Sequence, residues 1–221
     1  MSSSGLSTAS AIVGSLGLTW RPLLGATFLF VGLVAHQTQA FASPQAEALH
    51  LKACATCHGL DGNAMVDGVP SLAGQPAVFI ETQLVYIREG LRDVPAMREV
   101  SKALTDAEMT ALGRWYATLP AKAQPSRLNS AAFSRGQTLA KQALCGTCHM
   151  PSYQGQQQVP RLSSQREDYL QLTLRLMRDG QAYGRDTIMT TALEGLDHQA
   201  LDDLAHYFAN RDQPGKSPVL K

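Results

Sequence analysis

Cys54-Ala-Thr-Cys57-His58 and Cys145-Gly-Thr-Cys148-His149 are the two stretches on which the reading of this 221-residue chain turns. They contain all four of its cysteines. Two Cys-x-x-Cys pairs also fit a structural zinc site, and a single pair could be a redox dithiol. The histidine directly after each pair separates these chemistries. A c-type haem needs two thiols placed to add across the vinyl groups of one porphyrin, with an imidazole delivered to the iron beside them. A zinc site needs no such adjacent histidine. With every cysteine in a thioether, none is left for a disulfide, although an exported chain would be free to form one.

The two stretches belong to a duplication. Sliding the chain against itself puts Cys54 on Cys145, Pro70-Ser71-Leu72 on Pro160-Arg161-Leu162, Arg88-Glu89-Gly90 on Arg178-Asp179-Gly180, and Ala96-Met97 on Ile188-Met189. Each copy carries the same helical succession. A first helix runs into the cysteines, over Gln45 to Ala55 and Ala131 to Leu144. A second begins near Pro76 and stops at Gly90, with its counterpart running from about Gln165 to Asp179 and stopping at Gly180. Ser164 and Glu167 have the spacing of a capping box, as do Thr105 and Glu108 at the third helix of the first copy. That helix buries Met109, Leu112, Trp115 and Tyr116, a face repeated by Leu201, Leu204, Tyr207 and Phe208. No alternating β pattern competes, so the expected fold is all-α. Proline punctuation between the copies marks a linker at 121–128, separating a first domain over 43–120 from a second over 129–221.

Composition agrees with a packed globular protein, at 44% hydrophobic and 17% charged residues. Nineteen basic against eighteen acidic side chains leave a formal charge of +1, which argues against a nucleic-acid binder with a strong basic field. Arg21 followed by the apolar run Pro22 to Val34 and by Ala40-Phe41-Ala42 reads as an export signal over 1–42, cleaved after Ala42. The expected location is therefore the periplasm, with peripheral membrane association if this segment is retained. Covalent haem also supplies core that a domain of about 80–90 residues cannot build alone.

His58 and His149 are the candidate proximal ligands of two haem irons. The second ring nitrogen of each needs an acceptor to fix it, and Pro70 and Pro160 sit at matching distances downstream to offer carbonyls; simple loop shaping is their other reading. The sixth ligand decides function, because a thioether closes the iron and raises its potential whereas an open position invites oxygen or peroxide chemistry. Met97 and Met189 repeat, lie in loops between the second and third helices, and follow their histidines by 39 and 40 residues. Met109 and Met177 fall on helices and read as core. His36, His50, His198 and His206 read as surface or packing residues, with His50 set apart only by lying one helical turn before Cys54.

Together these residues resemble the dihaem cytochrome c4 family over about 43–210. The matching motifs are the two Cys-x-x-Cys-His sequences, Pro-Ser-Leu-Ala-Gly-Gln at 70–75, Arg-Asp-Gly at 178–180, and the late methionine followed by Leu-Thr-Asp-Ala-Glu at 104–108. The resemblance implies two tandem class I cytochrome c domains packed against each other around two haem c groups. It also implies an electron carrier, with no substrate chemistry of its own, between a respiratory donor and a terminal oxidase. The alternative is the dihaem subunit of a dehydrogenase complex, of the flavocytochrome c sulfide dehydrogenase type. The second copy departs at Arg161-Leu-Ser-Ser-Gln165 and carries a loop two residues longer before Met189.

Overall fold

The computed structural model describes residues 44–123 and 127–212. The export signal and its cleavage point, His36 and the centre of the linker lie outside them. The first copy contributes α1 (Pro44–Ala53), α2 (Ala55–His58), α3 (Ala77–Arg88), α4 (Pro95–Lys102) and α5 (Asp106–Thr118). The second contributes α6 (Ser130–Gln142), α7 (Cys145–His149), α8 (Glu167–Arg178), α9 (Thr187–Ala192) and α10 (His198–Asn210). Among the described residues the only β feature is an isolated bridge between Gln156 and Val159. No described helix is long and apolar enough to cross a membrane.

Each copy closes its own core. In the first, Ala46, Ile80, Met109, Leu112, Trp115 and Tyr116 interlock where α5 lies across α1 and α3. In the second, Leu170, Leu174, Leu201, Leu204, Tyr207 and Phe208 do the same with α6 and α8 on α10. The apolar faces read from the sequence are these cores. The capping box at Thr105 is fully formed, with Glu108 N donating to Thr105 Oγ1 and Thr105 N to the Glu108 carboxylate, and such a cap contributes about 1 kcal/mol. Gly90 and Gly180 close α3 and α8 with φ of 71° and 67°, conformations that only glycine takes freely.

Two local expectations are corrected. Ser164 does not cap α8: its φ is +60°, its hydroxyl faces Asp212, and Arg166 occupies the cap position with no side-chain cap bond. Glu167 is instead occupied by His206, whose Nδ1 lies 3.0 Å from its carboxylate. Met97 and Met189 do not lie in loops. Pro95 starts α4 from its first turn, and Asp186 starts α9 by accepting from Ile188 N, so each methionine stands on a short helix.

The second copy keeps a backbone shaped for glycine after losing the glycines. Gly59, Gly62 and Gly74 have φ of 80°, 76° and 69°. Their counterparts Met150, Tyr153 and Ser164 hold 69°, 57° and 60°. The hydrogen bonds enforcing these turns recur one for one. Leu72 and Ala73 N donate to Gly62 O, as Leu162 and Ser163 N donate to Tyr153 O. Gly74 N donates to Tyr116 O, as Ser164 N donates to Phe208 O. The replacement of Ser71-Leu-Ala-Gly-Gln75 by Arg161-Leu-Ser-Ser-Gln165 in the second copy thus alters side chains and leaves the turn intact.

Candidate functional site

Both cysteine pairs sit on single helical turns. Cys54 N still donates to His50 O at 2.8 Å, so α2 continues α1 with a slight break, and His58 N closes the turn on Cys54 O at 3.0 Å. A residue four places on returns to the same helix face, which brings His58 level with Cys54. In the second copy Leu144, at φ +54°, makes the break before α7. None of the four cysteines is disulfide-bonded. Burial pushes the Cys54 and Cys145 thiols above their ordinary pKa, whereas Cys57 and Cys148 are exposed. No group of three or more His, Cys, Asp or Glu gathers among the described residues, so the two pairs do not converge on a tetrahedral metal site.

The histidines are where the chemistry is sharpest. His58 and His149 are 5% and 4% exposed, and burial pushes both imidazoles below the ordinary histidine pKa. The rings are therefore neutral at pH 7, each with one N–H and one free lone pair. His58 Nδ1 lies 2.9 Å from Pro70 O and His149 Nδ1 2.8 Å from Pro160 O. A carbonyl only accepts, so the proton is on Nδ1 in both rings. Each Nε2 is left with the lone pair that a metal needs. The Pro70 and Pro160 carbonyls thus face the rings of His58 and His149.

Met150 follows His149 with φ 69° and ψ 155°, almost the dihedrals of Gly59 at 80° and 154°. That region is essentially reserved for glycine, and a side chain held there costs about 1–3 kcal/mol. Met150→Gly is expected to stabilise the second domain by about 1 kcal/mol after the extra backbone entropy of glycine is charged against it. Denaturant unfolding followed at the haem absorbance checks this; a destabilised variant would mean that the Met150 side chain contributes packing that outweighs its strain.

Met189 is partly buried against the second core, as is Cys145, so the structure brings the sequence-derived thioether and thiol to one cluster. Met97 is likewise half-buried, on α4 packed against α3. The remaining methionines are otherwise engaged or displaced: Met109 is wholly buried, Met177 packs on the second core, and Met65 is 68% exposed. His50 is wholly buried with both nitrogens used. Nε2 donates to Leu60 O at 3.2 Å and Nδ1 accepts from the Tyr116 hydroxyl at 2.7 Å. Its counterpart is Lys141, and Tyr116 is matched by Phe208, so the partner of this polar pair changed together with it. His206 bridges Asn129 N, which it accepts through Nε2, to Glu167. His198 meets the Arg178 guanidinium, 3.2 Å away.

Two features escaped the sequence reading. The first is a pair of glutamine contacts between the copies. Gln75 Oε1 accepts from Arg161 N and its Nε2 donates to Arg161 O, both at 3.0 Å. Gln165 Oε1 accepts from Ser71 N at 2.8 Å and its Nε2 donates to Ser71 O at 2.9 Å. The second is a cationic cluster at the same boundary. Arg92 and Arg185 both reach the Tyr169 hydroxyl, at 3.3 and 3.4 Å. Burial pushes this phenol up, but the two guanidiniums outweigh it and hold the pKa at about 8. Arg92 is 9% exposed, its Nε has no hydrogen-bond partner, and neither arginine forms an ion pair among the described residues. A carboxylate is the group this pair lacks, and haem carries two. Paired thiols on a turn, a neutral imidazole with its Nε2 lone pair free, and a buried Arg92 that bonds Gln83 and Tyr169 but has no anionic partner together fit haem c. The repeat was the available signal for the glutamines, which share an offset of 90 residues with the prolines.

Comparison with known proteins agrees. Residues 42–115 match the family described as cytochrome c oxidase, cbb3-type, subunit III, and residues 133–212 match the family described as cytochrome c. The chain is 32% identical to a thiosulfate dehydrogenase electron acceptor of Stutzerimonas stutzeri, over 87% of this chain and 95% of that one. It is 31% identical to cytochrome c4 of Thiocapsa roseopersicina, over 80% and 98%. The crystal structure of reduced cytochrome c4 from Pseudomonas stutzeri superposes with a TM-score of 0.66 at 26% identity, covering 74% of this chain and 97% of that one. With one cytochrome c domain and one attachment turn in each copy, it carries two haem c groups and transfers electrons. The chain belongs to the dihaem cytochrome c4 family.

Proposed function

We propose that this chain is a periplasmic carrier that takes electrons from a respiratory donor to a terminal acceptor and performs no substrate chemistry itself. Its two domains, 43–120 and 129–221, are joined by 121–128. Cys54 and Cys57 attach the first haem and Cys145 and Cys148 the second. His58 and Met97 hold the first iron; His149 and Met189 hold the second. The haem supplies a one-electron couple, and the protein's part is to keep both axial positions closed and the rings oriented. The observation that carries this reading is the doubled histidine-to-proline bond, which fixes one tautomer in both copies.

The likeness to a thiosulfate dehydrogenase electron acceptor favours one class of donor, a sulfur-oxidising dehydrogenase. It is the same kind of arrangement as a sulfide dehydrogenase cytochrome subunit, with a different catalytic partner. Reductive titration of the purified holoprotein is expected to take up two electrons per chain, and carbon monoxide is expected to leave the ferrous spectrum unchanged. Carbon monoxide binding at either haem would overturn the carrier reading for that haem. Stopped-flow mixing with a thiosulfate dehydrogenase and thiosulfate is expected to reduce both haems rapidly, whereas a flavin-dependent sulfide dehydrogenase with sulfide reduces them slowly.

A further inference from the structure

The glutamine contacts do more than join the copies. Pro70 C=O and Ser71 N–H belong to one peptide group. Its oxygen accepts from His58 Nδ1, and its N–H donates to Gln165 Oε1 in the other domain. Pro160 C=O and Arg161 N–H form the equivalent peptide, accepting from His149 Nδ1 and donating to Gln75 Oε1. Gln75, Gln165 and Ser71 are buried, at 4%, 4% and 3% exposure, so water does not compete at the Ser71 clamp, while Arg161 leaves the Gln75 clamp half-buried. The second bond of each clamp, from Nε2 to the carbonyl of Ser71 or Arg161, locks the side-chain amide in place and sets which end is oxygen.

A peptide that donates its N–H to a good acceptor becomes a better acceptor at its own oxygen, because hydrogen bonds in series polarise one another. A stronger acceptor on Nδ1–H makes the imidazole a stronger electron donor to its metal and favours the oxidised iron. We propose that Gln75 and Gln165 are positioning residues that act crosswise, each holding down the reduction potential of the haem in the opposite domain. This rests on the proposed reading that His58 and His149 are the iron ligands. The consequence is specific. Loss of Gln165, a second-domain residue, raises the potential of the first haem, and loss of Gln75 raises that of the second.

The test compares Gln165→Met and Gln75→Met holoproteins with the native one, using spectroelectrochemical titration of each haem and the histidine Nδ1–H proton resonances of the fully reduced form. For Gln165→Met the first haem's potential is expected to rise and the His58 Nδ1–H resonance to move upfield, with the second haem and His149 unmoved. Gln75→Met gives the mirror image. Gln165→Glu keeps the acceptor with a charge on it and is expected to return the first haem to or below its native potential. A glutamine acting only as interface glue would move both haems together in either variant, and that result, or no shift in either, overturns the proposal. Failure of the ligand assignment gives a different result: His149→Ala would leave the second haem's low-spin spectrum intact.

Discussion

Gly136→Ala is expected to destabilise the second domain by about 1–2 kcal/mol. Gly136 is where α6 crosses α10, and a Cβ built there would stand 2.0 Å from Asp203 O and 2.8 Å from Tyr207 Cβ. Both are closer than any real contact, and the nearer atom is helix backbone, which cannot swing aside. Separating the helices would loosen Tyr207 and Phe208 from the core they close, and would strain the neighbouring two-bond pair of Arg135 with the nearly buried Asp203. Overpacking of this kind costs about 1–3 kcal/mol and occasionally more, against which alanine recovers about 1 kcal/mol of helix propensity. Gly146→Ala is the control, since its nearest neighbour would be 3.6 Å away and the first copy already has Ala55 there. Denaturant unfolding read at the haem absorbance should show a lower midpoint for the first variant and little change for the second. Equal midpoints for Gly136→Ala and the native protein would mean that the crossing is looser than the structure has it.

What could be read from residues alone divides along physical lines. The two haem attachment turns were legible because covalent attachment demands fixed spacing along the chain, and Pro70 and Pro160 stood out because they recur at matching places in the repeat. The long helices were legible because α5 buries one face at helical period, α10 repeats its apolar positions although it is enclosed on nearly all sides, and α3 and α8 stop on glycine. The short helices α4 and α9 were not. Eight and six residues carry too little periodicity, and their only signals are Pro95 at a first turn and Asp186 at a cap. The capping box drawn at Ser164 misled for a related reason: a serine three residues before a glutamate matches the pattern, but here serine stands where the first copy has Gly74 and inherits its left-handed backbone. The contacts between copies were beyond local reading. Nothing in Gln75 or Gln165 says that its amide will meet a backbone about 90 residues away. Only the shared offset with the prolines, read as geometry, would have raised the question.

Met189→Ala is expected to open the second haem and leave the first untouched, with Met97→Ala giving the reverse. Each methionine is placed by a helix start, Pro95 for one and Asp186 for the other, and each is half-buried. Removal of a thioether leaves a five-coordinate ferric haem that turns high-spin and a ferrous haem that binds carbon monoxide. It also lowers the potential, since the thioether favours ferrous iron. The weak near-infrared sulfur-to-iron band of the oxidised protein should fall to half in either single variant and vanish in the double. Met109→Leu and Met177→Leu change packing at a wholly buried and a half-buried methionine and should keep the full band, which separates loss of a ligand from loss of packing. Both His50 nitrogens are already engaged, Nδ1 by Tyr116 and Nε2 by Leu60, so His50 has no free nitrogen to offer the first haem and no bis-histidine spectrum is expected from Met97→Ala. A full-strength band after Met189→Ala would transfer the sixth position of the second haem to another sulfur, and Met150, held beside His149 in a glycine conformation, would be the residue to replace next.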